Sequence, residues 1–226
     1  MSRNDPATGQ RRRIQIILIA ISAGFLTVVA AVGLLVNSIG AAGGASQTAG
    51  PASQFAGPVF PGHFRAAFFS LTDQDGKRAT LSQYRGQVLV LSFMYSRCKD
   101  TCPVMATEIR GALDQLPGNG RNLPVLAITV DPAHDTRASA RAFLAREHMT
   151  GRMRFLLGTY RQLRAIWKHY AVQPEFDPAG REYSHGHTSY VMLIDRHGLL
   201  RVGFPAGQLV PEDLAHDLEL LLARGG

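Results

Sequence analysis

Two cysteines, Cys98 and Cys102, are the only ones in the 226-residue chain, and they stand four apart in Cys-Lys-Asp-Thr-Cys-Pro. They fall where a nearly continuous apolar run, Gln87 to Phe93, gives way to a helical stretch predicted from Pro103 through Leu116. A helix N-terminus presents free N–H donors and a positive dipole end, both of which favour thiolate over thiol. Thiolate is the form that attacks a disulfide and the form that ligates metal. Two sulfurs held close can therefore trade between a disulfide and a two-thiolate clamp for a soft ion such as Cu(I). An inert bridge is the weaker reading, because closing so short a loop removes little chain entropy.

A second cluster lies far along the chain. Tyr183-Ser-His-Gly-His-Thr-Ser-Tyr leads into a strand predicted to end at Ile194. His185 and His187 are two apart, so extended chain projects both to one face. An imidazole entering a strand beside the cysteine-bearing helix can approach both sulfurs and offer the nitrogen that Cu(II) favours. A third group, Asp131-Pro-Ala-His-Asp-Thr, comes after the predicted strand Leu123 to Val130 at its carboxyl end, where α/β folds place their sites. Asp131 reads as a turn former and Asp135 as the N-cap of a helix over 136–147. Either carboxylate could instead hold an ion or hydrogen-bond the cysteine loop.

The elements that must position these residues form an alternating series. Phe68 to Leu71 and Thr80–Leu81 flank the turn signal Asp75-Gly76, giving a hairpin ahead of the first buried strand. Later come a short strand over Phe155 to Leu157, a helix from Thr159 to Tyr170, and a hairpin of Ser189–Ile194 and Leu200–Phe204. A final amphipathic helix opens at Pro211. Trp167 reads as core. The order predicts an α/β domain: a thioredoxin-like mixed sheet flanked by helices, with an N-terminal hairpin.

The first residues are different. Arg11, Arg12 and Arg13 precede 21 uncharged residues, Ile16 to Val36. At about 1.5 Å per residue this run spans roughly 31 Å, enough for the bilayer hydrocarbon. The arginines place the N-terminus on the cytoplasmic side, so the chain beyond Val36 is exported. A cleaved signal peptide is the alternative, with a peptidase site among Ala41 to Ala45, although its apolar core would ordinarily be shorter. The division expected is a basic tail over 1–13, a transmembrane anchor over 14–37, a Gly/Ala/Ser/Pro-rich flexible linker over 38–63, and the exported domain over 64–226. The address implied is a single pass through a bacterial-type inner membrane with a periplasmic domain.

The net charge of +7 does not indicate nucleic acid, since the tail holds +3 of it (four arginines less Asp5) and the remainder is interleaved with acids.

Taken together the residues resemble the Sco/SenC family. The resemblance is carried by the strand into Phe93-Met-Tyr-Ser-Arg-Cys98, Asp100-Thr-Cys102-Pro103, the Asp131-Pro and Asp135-Thr136 loop, and His187-Thr188 heading a late strand. It covers roughly residues 64 to 223. It implies a thioredoxin-like fold behind one membrane helix, copper bound as Cu(I) or Cu(II) by Cys98, Cys102 and His187, and a role in assembling the copper centre of cytochrome c oxidase. The partner implied is the copper-bearing oxidase subunit or another exported copper or thiol protein. Three positions depart from the family pattern: Lys99 replaces a usual proline, His134 a usual arginine, and Gly186 a usual aspartate that could ligate Cu(II) or orient the imidazole.

A thiol–disulfide oxidoreductase is the competing function, with Cys98 and Cys102 as a redox-active pair acting on exported partners. Peroxide reduction is disfavoured because Leu91 and Tyr95 stand where peroxiredoxins carry proline and threonine or serine.

Overall fold

The computed structural model describes residues 54–118, 122–174 and 189–224. Residues 53–226 form one compact unit. Its strands are β1 (Ser70–Asp73), β2 (Arg78–Thr80), β3 (Leu89–Met94), β4 (Val125–Thr129), β5 (Arg154–Leu157), β6 (Tyr190–Ile194) and β7 (Leu200–Pro205). Its helices are α1 (Thr101–Gln115), α2 (Arg137–Arg146), α3 (Tyr160–His169) and α4 (Pro211–Ala223). The strands make one mixed sheet in the order β2-β1-β5-β4-β3-β6-β7, parallel across β5-β4-β3 and antiparallel elsewhere.

Every residue of β3 and β4 is buried. Both faces of these central strands are covered, which explains why they read as unbroken apolar runs rather than alternating ones. Val90 and Met94 of β3 face a core shared with α1, α2 and α4; Leu89, Leu91 and Phe93 face a second core closed by α3 and by Phe69. Trp167 of α3 is 2% exposed, as expected of core, and its indole N–H donates to the Thr129 carbonyl at 3.1 Å.

Two tight turns at the amino-terminal end of β3–β5 share one construction. In Asp73-Gln-Asp-Gly-Lys77 and Asp195-Arg-His-Gly-Leu199, the aspartate Oδ1 accepts N–H groups two and four residues on. Its Oδ2 takes an arginine, Arg154 at 2.8 Å for Asp73 and Arg201 at 3.1 Å for Asp195. The glycines sit at φ +81° (Gly76) and +75° (Gly198), where a side chain would be strained.

The stretch expected as a spacer up to residue 63 is packed from residue 54 onward. Phe55 is 8% exposed, and the Ala56 and Gly57 N–H groups donate to the buried Asp217 carboxylate of α4 at 2.7 and 3.0 Å. Residues 58–66 then run along the outer edge of β7, bridging Val59 to Val202 and Arg65 to Leu199. Gly203 has no side chain because a Cβ there would stand 2.5 Å from the Phe60 ring. This strap covers an edge that would otherwise expose unpaired backbone groups. Composition hid it: a Gly/Pro-rich stretch lacks periodicity whether it is loose or held by another strand.

No helix among the described residues is long and apolar enough to cross a membrane. The basic tail, the expected anchor over 14–37 and most of the expected linker lie outside the described residues.

Candidate metal centre

β3 ends at Met94, and the chain turns through Tyr95 to Asp100 before α1 begins at Thr101. The helix starts two residues earlier than Pro103 suggests, so Cys102 lies inside its first turn. Asp100, at the N-cap position, makes no side-chain cap. The cap is a sulfur instead: the Cys102 N–H donates to Cys98 Sγ at 3.2 Å. The loop is closed by the Cys98 N–H on the Tyr95 carbonyl at 3.2 Å.

Both cysteines are free thiols; Cys98 is 5% exposed and Cys102 fully buried. Their acidities diverge. A hydrogen bond from the Cys102 thiol, opposed by burial and helped by the Cys102 and Asp100 N–H groups and the Tyr95 side chain, lowers Cys98 to about 6. Donating that bond, burial and the neighbouring negative sulfur all push Cys102 well above the ordinary thiol value. One sulfur is poised as thiolate and the other keeps its proton.

The loop is held from β4. Asp135 accepts the Ser96 N–H at 2.9 Å, the Ser96 hydroxyl and the Thr129 hydroxyl. Burial raises the Asp135 pKa, and the hydrogen bonds from Ser96 and Thr129 oppose the rise. The reading of Asp135 as a helix cap is corrected here: Thr136 caps α2, accepting the Ser139 N–H at 3.1 Å. A Thr-x-x-Ser box was visible in the sequence and identifies that cap. Asp131 is fully buried; it pairs with Arg97 Nη2 at 3.1 Å and with His134 Nδ1 at 2.8 Å. Its N–H donates to the Thr129 hydroxyl at 3.0 Å.

The structure thus brings Cys98, Cys102, Asp131 and Asp135 to one end of the sheet. Two adjacent sulfurs, one already favouring thiolate, suit a soft monovalent ion, while both buried carboxylates are committed to the loop and its rim. Among the described residues no three His, Cys, Asp or Glu side chains are arranged to hold a metal. His187, the expected third donor, and His185 beside it lie outside the described residues. Ser96 and Thr129 were missed; a hydroxyl two residues before Cys98 and one ending a buried strand carry no signal until the two loops meet.

A mixed sheet with a cysteine pair where a central strand passes into a helix defines a thioredoxin-like thiol protein. Residues 61–223 match the SCO1/SenC family model, so the chain belongs to the SCO1/SenC family. A putative copper-binding protein of Stutzerimonas stutzeri is 31% identical over 137 residues, covering 58% of this chain and 64% of that protein. The mitochondrial protein SCO2 of Saccharomyces cerevisiae is 30% identical over 134 residues, covering 58% of this chain and 44% of that protein. The matches therefore span about half to two thirds of these relatives. Among solved structures, copper-bound ScoI of Bradyrhizobium japonicum superposes with a TM-score of 0.59 at 27% identity, over 70% of this chain and 99% of that one.

Proposed function

We propose that this chain is a membrane-anchored copper-binding metallochaperone that assists assembly of the copper centre of cytochrome c oxidase. Cys98 and Cys102 are the thiolate ligands and His187 is the third. The observation that carries the reading is the sulfur pair itself: two reduced cysteines, one taking the other's N–H at 3.2 Å, in a chain of the SCO1/SenC family. Copper is cargo in this reading. Few ligands at the rim of the domain leave room for a partner's donors to displace them one at a time. The copper named for the Stutzerimonas and Bradyrhizobium relatives supports the choice of ion. Residues 14–37 anchor the domain, with the N-terminus cytoplasmic and the domain periplasmic; the oxidase subunit that carries the copper is the partner.

Titration of the reduced protein with Cu(I) and Cu(II) tests this. Wild type is expected to take up one equivalent, Cys98→Ser and Cys102→Ser none, and His187→Ala to lose Cu(II) far more than Cu(I). A reduced protein that takes up no copper of either kind ends the chaperone reading.

The unequal acidity of the sulfurs favours a second activity, thiol–disulfide exchange. The Cys98 thiolate would attack a partner disulfide, forming a mixed disulfide and expelling one partner thiolate. Cys102, losing its proton to that leaving thiolate, would then attack Cys98 Sγ and release the second partner sulfur as thiolate. Two electrons pass from the pair to the partner. His187→Ala separates the readings, since exchange survives it and Cu(II) binding does not.

A further inference from the structure

The end of the sheet opposite the cysteines carries a second surface that neither sulfur chemistry nor copper binding uses. A cleft of about 330 Å³ opens there between the Leu81–Tyr84 turn, the Asp195–Gly198 turn and the strap. Arg65, Arg85, Arg196 and His197 line it, against a single carboxylate, Asp195. That carboxylate is already spent on Arg201 and on the His197 and Leu199 N–H groups. Arg65 and Arg85 are exposed, and neither makes an ion pair among the described residues. Arg196 spends its two terminal nitrogens on the Gly86 and Leu222 carbonyls, leaving its Nε buried without a hydrogen-bond partner. Its charge is therefore fixed in place, with no ion pair among the described residues. Phe68, which also lines the cleft, is 73% exposed, the most exposed large apolar side chain among the described residues.

Two exposed guanidinium groups without an ion pair among the described residues, Arg65 and Arg85, backed by the fixed charge of Arg196 and set beside a projecting aromatic ring, suit a surface that offers phosphates above hydrocarbon. The chain also enters the domain on this side. Gln54 is bonded by Arg224 at the end of α4 and its carbonyl by His216, while the Leu222 carbonyl of the same helix holds Arg196. We propose that this pole docks on the anionic phospholipid surface of the membrane, Arg65 and Arg85 meeting headgroup phosphates, Arg196 adding its fixed charge behind them, and Phe68 entering the interface. The choice of a membrane over an acidic protein rests on the anchored reading above. Docking by this pole leaves the sulfurs at the far end of the sheet, turned away from the lipid.

Co-sedimentation of residues 53–226, a compact unit without the anchor, with vesicles of phosphatidylglycerol and phosphatidylcholine tests this. Binding is expected to mixed vesicles and not to pure phosphatidylcholine, and to fall as salt rises. Arg65→Glu with Arg85→Glu should lower partitioning by more than about fivefold per arginine, since each contributes roughly that factor near an anionic surface and the reversal adds repulsion. Phe68→Ser, with no change of charge, should lower it by up to roughly tenfold. Arg161→Glu with Arg164→Glu, the same charge change on exposed positions of α3, should cost much less; equal loss there would mean general attraction and overturn the proposal. So would absence of vesicle binding, or a cleft whose arginines matter for retention on an acidic protein and not on vesicles. Fractionation of the full chain reads the anchor separately, so a failed cleft leaves that reading standing.

Discussion

The two ends of the central sheet differ in one buried carboxylate: Asp131, at the cysteine end, is paired with Arg97 and His134, but its neighbour Asp135 is handled unlike any carboxylate at the far end. At the end away from the cysteines, Asp73 and Asp195 each meet a guanidinium and two turn N–H groups, so their charge is matched on the spot. At the cysteine end Asp135 receives only neutral donors, from Ser96 and Thr129, with no cation beside it among the described residues. Its pKa rises with burial. A matched carboxylate stabilises the structure around it. An unmatched one sets a field, and here the field falls on Cys102, whose proton it helps to hold. The far end of the sheet is thus fastened, and the cysteine end is fastened at Asp131 and electrically tuned at Asp135.

The largest expected effect sharpens the tuned end. At pH 7 iodoacetamide should label Cys98 far faster than Cys102, because one is mostly thiolate and the other protonated and enclosed. The labelling rate of Cys98 should rise through a midpoint at about 6, and Cys102→Ala should move that midpoint up toward the ordinary thiol value. Equal labelling would erase the contrast. A folded pKa below the unfolded one stabilises the protein above the unfolded value, and that stability is lost as pH falls through the folded value. The reduced protein should therefore gain stability from Cys98 between pH about 6 and about 9, which Cys98→Ser removes.

Next is the fastened end. Asp73→Ala should cost about 3 kcal/mol in urea unfolding, at the bottom of the range for a fully enclosed pair because the Arg154 guanidinium reaches solvent. Exchange to asparagine compares the ends directly. Asp73→Asn should cost about 2 kcal/mol, since the ion pair goes, and Asp135→Asn only about 1 kcal/mol, since an amide oxygen still serves the Ser96 donors. A larger loss at Asp135 would break the comparison. Gly198→Ala should cost no more than Asp135→Asn, about 1 kcal/mol, a purely conformational cost in open space.

The same division governs how much was readable from residues alone. The fastened end was legible: Asp75-Gly76 and Asp195 to Gly198 announce tight turns from local chemistry, and Pro211 opens α4 as expected. The apolar runs marked β3 and β4 to within a residue or two, because strands covered on both faces leave no room for polar positions. The tuned end was legible only in part. Cys98 and Cys102 stood out by type and spacing, but their unequal acidity arises from one N–H and one thiol that a helix start brings to a sulfur. Asp135 looked like a cap because capping is local, whereas its bonds to Ser96 cross 39 positions. The strap was illegible for a related reason, since it is specified by β7 and by Asp217, some 160 positions downstream.

That strap decides where the domain can be cut. A recombinant fragment begun at residue 64, where the sequence pattern alone puts the boundary, would lack Phe55, Phe60 and the two amides that satisfy Asp217. It would carry a bare strand rim, free to accept a neighbouring molecule's backbone, and would clump rather than stay monodisperse. Starting at residue 53 keeps the selvedge sewn.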